Sequence, residues 1–169
     1  MALNIKSVLT SLKELVRENN TITSSYDISG SLNRRVTNVY QGVSSMHQHA
    51  PIPIRQYPVV FVEIGEDDET LTRLGANAKR DVEIRVDVVP VTNYGAGSGD
   101  ELTALENAHM ENVQLCGNLK TLFRNKITLT GTVAFVDVVR TEYATMDNDD
   151  QAYNIVSRIQ LNLNIKNTT

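Results

Sequence analysis

The chain has 169 residues, of which 41% are hydrophobic and 21% charged, and its formal net charge is −4. That balance belongs to an ordinary folded domain with a full-sized core and excludes a disordered tail. The acidic sign argues against a module that grips nucleic acid by neutralising phosphates, though not against nucleic acid passing close by unheld.

The start of the sequence, MALNIKSVLTSLKELVRENN, has no basic segment followed by a continuous apolar run, so it does not read as a signal peptide. Asn4–Asn19 reads as a helix: Ile5, Val8, Leu9, Leu12, Leu15 and Val16 recur at helical spacing, with Lys6, Lys13, Glu14 and Arg17 opposite. The mixed sign of that polar side fits a helix packed on a sheet better than a membrane-surface helix. Thr21–Leu32, rich in Ser, Thr, Asp and Gly, reads as a loop, and Val36–Gly42 as a short strand. Val43–Pro58 holds His47, His49 and the prolines 51, 53 and 58; an extended or polyproline-like connector is expected there.

Val59–Ile64, VVFVEI, has the composition of a buried strand, and the acidic and Gly-containing Gly65–Ala78 reads as a long hairpin loop. Lys79–Val91, KRDVEIRVDVVPV, is the most clearly patterned stretch. Val82, Ile84, Val86 and Val88 alternate with Asp81, Glu83, Arg85 and Asp87, which specifies a dry face and a charged face. Pro90 limits ladder pairing near its end. Asn93–Gly99 reads as a flexible turn. Ser98 and Glu101 have capping-box spacing before a helix over Asp100–Arg124, whose apolar stripe is Leu102, Leu105, Val113, Cys116, Leu119 and Phe123, widened by Ala108, Leu115 and Leu122. Gly117 inside it suggests a close approach to the sheet. Thr132–Tyr143, a turn at Met146–Asp150, and Tyr153–Ile165 form a terminal hairpin. In its second strand Ser157 interrupts the apolar alternation, and the tail 166–169 is expected to fray.

These elements predict one α+β domain over residues 1–169, with a loop-rich insert at 43–58. Its mainly antiparallel sheet has four to five strands, with two helices packed on one face.

Sites of chemistry are sparse. His47 and His49 could both coordinate a metal from an extended chain, but no third ligand is signalled, so a metal-dependent enzyme is a minor alternative. The acidic runs Glu66–Glu69 and Asp147 with Asp149-Asp150 read as solvated loops; the second lacks the glycine and terminal glutamate of a calcium loop. Gly95, Gly97 and Gly99 lack the lysine of a phosphate loop. Cys116, the single cysteine, falls in an apolar register without a neighbouring base, as a buried small hydrophobe does. No cofactor is implied, and the expectation is a protein that is not an enzyme. Arg34, Arg35, Arg73, Lys79 and Arg80 are the basic foci. They read as loop charges, as partners for acidic loops of other subunits, or as a weakly basic rim facing nucleic acid.

The run Gln56-Tyr57-Pro58-VVFVEI, the acidic loop after it, DVEIRVDVVPV, the polar linker, the single long helix and the terminal hairpin together resemble the tail terminator family of long-tailed bacteriophages, with its neck and tail-completion relatives. The connector Met46–Ile54 is an addition to that pattern. The resemblance implies a subunit that closes into a ring, commonly a hexamer, at the head-proximal end of the tail. The ring ends tail-tube growth and joins the tail to the head connector. Its partners would be copies of itself, the tube protein, a head-completion protein and, in a contractile tail, the sheath. DNA would pass through the lumen unheld, and no membrane is involved. Asp81, Glu83, Arg85, Asp87, Arg158 and Gln160, on the polar faces of their strands, are the interface candidates; the basic foci are lumen or loop candidates. The protein would be made in the host cytoplasm and end in the virion neck. A head-completion or stopper ring is the nearest alternative, and a soluble DNA-binding regulator a more distant one.

Overall fold

A computed structural model describes residues 5–44, 52–71, 80–94, 101–126, 129, 135–149 and 152–166; at 54, 67–71, 80–81, 94, 101, 135, 144–149, 152–153 and 165–166 only the backbone is described. The elements are α1 (Ile5–Glu18), β1 (Asn38–Gln41), a 3-10 turn (Ile54–Gln56), β2 (Val59–Leu71), β3 (Arg80–Tyr94), α2 (Glu101–Asn125), β4 (Phe135–Asp149) and β5 (Ala152–Lys166).

The strands form one sheet in the order β1-β2-β3-β5-β4. β2–β3, β3–β5 and β5–β4 are antiparallel, as expected, while β1 runs parallel to β2, so the sheet is mixed. A parallel neighbour requires a crossover of about a dozen residues or more. The Val43–Pro58 connector meets that requirement, returning the chain from the end of β1 to the start of β2. Gly42, with φ of 146°, begins the return in a backbone region that other residues rarely adopt. The connector contains a 3-10 turn in place of the extended chain expected over Ile54–Gln56.

Both helices cover one face. Val8, Leu12 and Val16 of α1 and Leu115, Cys116, Leu119, Leu122 and Phe123 of α2 enclose Val60, Val62, Val82, Ile84, Val86, Val88, Ile159, Leu161 and Leu163 in a single core. Leu102, placed by its spacing in the apolar stripe, is instead exposed. A Cβ added at Gly117 would meet nothing within 4 Å, so that glycine does not serve a close approach to the sheet. The loop after α1 is anchored: Ile28 joins the core, and the Asn118 amide of α2 donates to the carbonyls of Ile28 (3.0 Å) and Gly30 (2.7 Å).

β1 is shorter than the Val36–Gly42 expected, whereas the other four strands run beyond their sequence-based bounds at one end or both. β2 continues from Ile64 through the acidic run to Leu71, where a loop was expected, because β3 supplies a partner for each residue from Glu66 to Leu71 after a bulge at Gly65. β4 likewise extends through Met146–Asp149, where a turn was expected. β3 includes Asn93 and Tyr94, and β5 includes Lys166. Cross-strand hydrogen bonding outweighs the weak strand propensity of Asp, Asn and Glu here.

The face away from the helices is not uniformly wet. Its apolar half, Val59, Phe61, Val89 and Val91, is covered by Tyr57 and Ile52 of the connector and by Tyr40, whose ring stacks on Phe61 at 5.3 Å. Its other half carries the charges.

Candidate functional site

Alternation along β3 sends Glu83, Arg85 and Asp87 to this outer face, and the antiparallel register decides what they meet. Glu63 of β2 lies directly opposite Asp87. Like charges facing one another across a rung repel. The remedy comes from β5: Arg158 donates to Asp87 Oδ2 at 2.7 Å, and its other terminal nitrogen lies 3.3 Å from Glu63 Oε1. A planar guanidinium is suited to bridging two carboxylates. The Ser44 backbone N–H donates to Glu63 Oε2 at 2.5 Å, and the Ser44 hydroxyl to Oε1 at 3.4 Å.

Asp87 was expected on a wet face, yet only 3% of it is exposed, and Glu63 is also buried. Arg85 is half-buried. Its guanidinium lies beside Gly65, where a Cβ would come within 3.1 Å of Nε, and it pairs with Glu66 at 3.1 Å. The missing side chain at the bulge therefore gives the guanidinium its place. Glu83 is exposed and accepts from the Asn162 amide at 2.5 Å. Gln160 lies opposite Asp87 on the β5 side and is half-buried. Arg140 and Glu142 continue the pattern on β4 with a 3.1 Å pair. Within the site, Asp87 Oδ1 and Arg85 Nε are buried and have no hydrogen-bond partner.

Five of the six interface candidates, Glu83, Arg85, Asp87, Arg158 and Gln160, thus share one face. Asp81 lies in β3 opposite Thr70 and Lys166, its side chain outside the described residues. Of the basic foci, Arg34 lies 3.8 Å from the buried Glu111, and Arg35 is bidentate to Asp27 at 2.7 and 3.1 Å. Arg80 is described only by its backbone, and Arg73, Lys79, His47 and His49 lie outside the described residues. Among the described residues, no three His, Cys, Asp or Glu side chains gather as a metal site would require.

Sequence reasoning missed Glu63, Ser44 and Asn112. Glu63 occupies an alternate position of VVFVEI, but nothing in the sequence gives its register against Asp87. Asn112 sits on the buried side of α2, and its amide donates to the carbonyls of Pro90 (3.2 Å) and Ile155 (2.9 Å) while its oxygen accepts from Ser157. The β3–β5 ladder passes from Val88–Ile159 to Val91–Val156, skipping the residue that has no N–H to give. A side-chain amide supplies donors there instead. The break that Ser157 makes in the alternation of β5 was the signal for it. Cys116 is buried beside this group, and burial pushes its thiol up to about 11, against smaller lowering effects from Ser157 and Lys120.

No family model matches the chain, and no curated protein matches it. Among solved structures it is similar to a chain of one described as "Virion of native gene transfer agent (GTA) particle", with 14% identity, 95% of this chain and 98% of that chain covered, and a TM-score of 0.42.

Proposed function

We propose that the protein is a virion structural protein forming a ring at the head-proximal end of a phage tail. There it ends tube polymerisation and joins the tail to the head connector, with DNA passing through the lumen. In this reading it is not an enzyme. Its partners are further copies of itself in a homohexamer, the tube protein, a head-completion protein and, in a contractile tail, the sheath.

The observation that carries the reading is the outer sheet face. Exposed or half-exposed groups of both signs, Glu66, Glu83, Arg85, Arg140, Glu142 and Arg158, are spread over four strands. A mixed-sign surface on rigid strands suits a protein neighbour and resists tight DNA binding, which would obstruct passage. A ring needs heterologous contacts, in which this face meets a different face of the next subunit. The sequence pattern from Gln56 to Val91 and the terminal hairpin support the tail terminator assignment within that class.

The test is electron microscopy of particles assembled without the protein. Overlong tails are expected. Tails of normal length beside leaking heads would replace termination with head completion.

A further inference from the structure

The outward side of α2 carries no charge along the line from Thr103 to Asn125. Its residues recur every three or four positions and are nearly symmetric about Gln114: Asn107 and Thr121 stand seven residues to either side of it, and Thr103 and Asn125 eleven. Met110, four before the midpoint, is a large apolar side chain left 58% exposed. Gly117, three after it, is a notch, since even a Cβ there would meet nothing within 4 Å. A line whose knob and notch lie at nearly equal distances from its centre is complementary to its own reverse.

The polar groups on the line are partly satisfied already. The Thr121 hydroxyl donates to the carbonyl of Gly117 at 3.0 Å, the Asn125 amide to the carbonyl of Thr121 at 2.8 Å, and the Gln114 amide to the Asn118 side chain at 3.0 Å. Covering them costs less than covering groups that depend on water.

Charges flank the line on one side. Glu106 and Arg124 are eighteen residues apart, five full turns, and Lys120 lies one turn before Arg124. A parallel pair of such helices would set this flank against the opposite one, which holds Asn118 and the buried Glu111. In an antiparallel pair each flank meets itself, reversed. About Gln114, Glu106 of one helix then falls level with the gap between Lys120 and Arg124 of the other. Leu102, 75% exposed on the same flank, falls beside the stem of that Arg124. The charge pattern therefore selects a reversed second copy as the partner.

We infer that α2 docks antiparallel on α2 of a second copy, about a two-fold axis at Gln114, with Met110 of each seated over Gly117 of the other. Such an isologous contact closes on itself. It is separate from the heterologous contacts of the proposed ring and holds whether or not that ring forms.

Cysteine placement tests it. On the two-fold axis a residue meets its own copy, so Gln114→Cys should give a disulfide-linked dimer under mild oxidation. Asn107→Cys alone should not, and should link when mixed with Thr121→Cys. The native Cys116 is buried and takes no part. Sedimentation equilibrium of the unaltered protein should show a weak, concentration-dependent dimer, since one helix face makes a small interface. Met110→Glu and Gly117→Glu, both at outward positions, should each weaken it by roughly tenfold or more with the far-UV spectrum unchanged. Glu106→Arg should weaken it too, and adding Arg124→Glu to that variant should restore it. Links formed as readily at Asn107→Cys alone as at Gln114→Cys, or a dimer indifferent to Met110→Glu and Gly117→Glu, would overturn the contact. A protein that stays monomeric to millimolar concentration and gives no Gln114→Cys link would do the same.

Discussion

Glu63 and Asp87 face one another on one rung of β2 and β3, both buried, and Arg158 from the next strand spans the two. The site is therefore a charge arrangement made by register. Removing the bridge leaves two buried carboxylates in mutual repulsion. Arg158→Met should cost roughly 2–3 kcal/mol, below the value for a fully buried pair because the Arg158 side chain is 39% exposed. Urea unfolding measures this. The triple variant with Glu63→Gln and Asp87→Asn should recover most of the loss; an equal loss in the triple would show that packing of the arginine stem, not charge, is what matters.

Charge reversal at Arg85 tests the face as an assembly surface. Arg85→Glu places a carboxylate beside Glu66 and Asp87, and it should abolish self-association through this face while the monomer keeps its far-UV spectrum. Gly65→Ala pushes on the same guanidinium, from 3.1 Å, and should weaken association less. Association unchanged in both would return this face to solvent.

Asn112→Ala removes the donors at the carbonyls of Pro90 and Ile155 and the acceptor of Ser157, at an expected cost of about 2–4 kcal/mol. Asn112→Asp should be worse, since a carboxylate accepts from Ser157 but repels both carbonyls. A denaturation midpoint equal to that of the parent would refute this role.

Much of the fold was legible because it is periodic. The helical repeat of Val8, Leu12 and Val16 and the two-residue repeat of Val82 to Val88 each state which side is dry. The acidic stretch after Ile64 was not legible as strand: its conformation comes from β3, a partner distant in sequence. The same holds for the parallel placement of β1. At the site, the sequence showed that Asp87 and Arg158 belong to polar faces, yet the setting of the buried Asp87 is made by Glu63 on the adjacent strand and Arg158 on the next, which only register and topology bring together. Asn112 was hidden for a different reason: one polar residue on an apolar helix face reads as an exception until its partner proline is known.

Gly117→Ala should stabilise the protein by about 1 kcal/mol, since the new methyl enters open space and the helix loses a flexible residue. Thr121, whose hydroxyl donates to the carbonyl of residue 117 at 3.0 Å, keeps that bond. A lower melting temperature would mean that the position is closed in solution.

Cys116 gives a pH signature. Its thiol titrates near 11 when folded and near 9.0 when unfolded, so between those values the unfolded chain loses the proton that the folded chain keeps. Deprotonation then favours unfolding, and stability falls as pH rises from about 9 to 11, by about 2 kcal/mol in all. Cys116→Ala should remove that part of the alkaline decline. Iodoacetamide at pH 8 should leave the native thiol unmodified and react promptly once urea is added.

The strand order carries a consequence for biosynthesis. β5 follows every other element in sequence, yet it lies between β3 and β4. A nascent chain that has emerged only as far as β4 has nothing to join that strand to the rest of the sheet, and one edge of β3 stands open. The sheet closes last at its middle, so the charged rung of Glu63, Asp87 and Arg158 is complete only when β5 has inserted. Until then the outer face lacks the arginine that compensates its two carboxylates, so the charged surface matures only with the last strand.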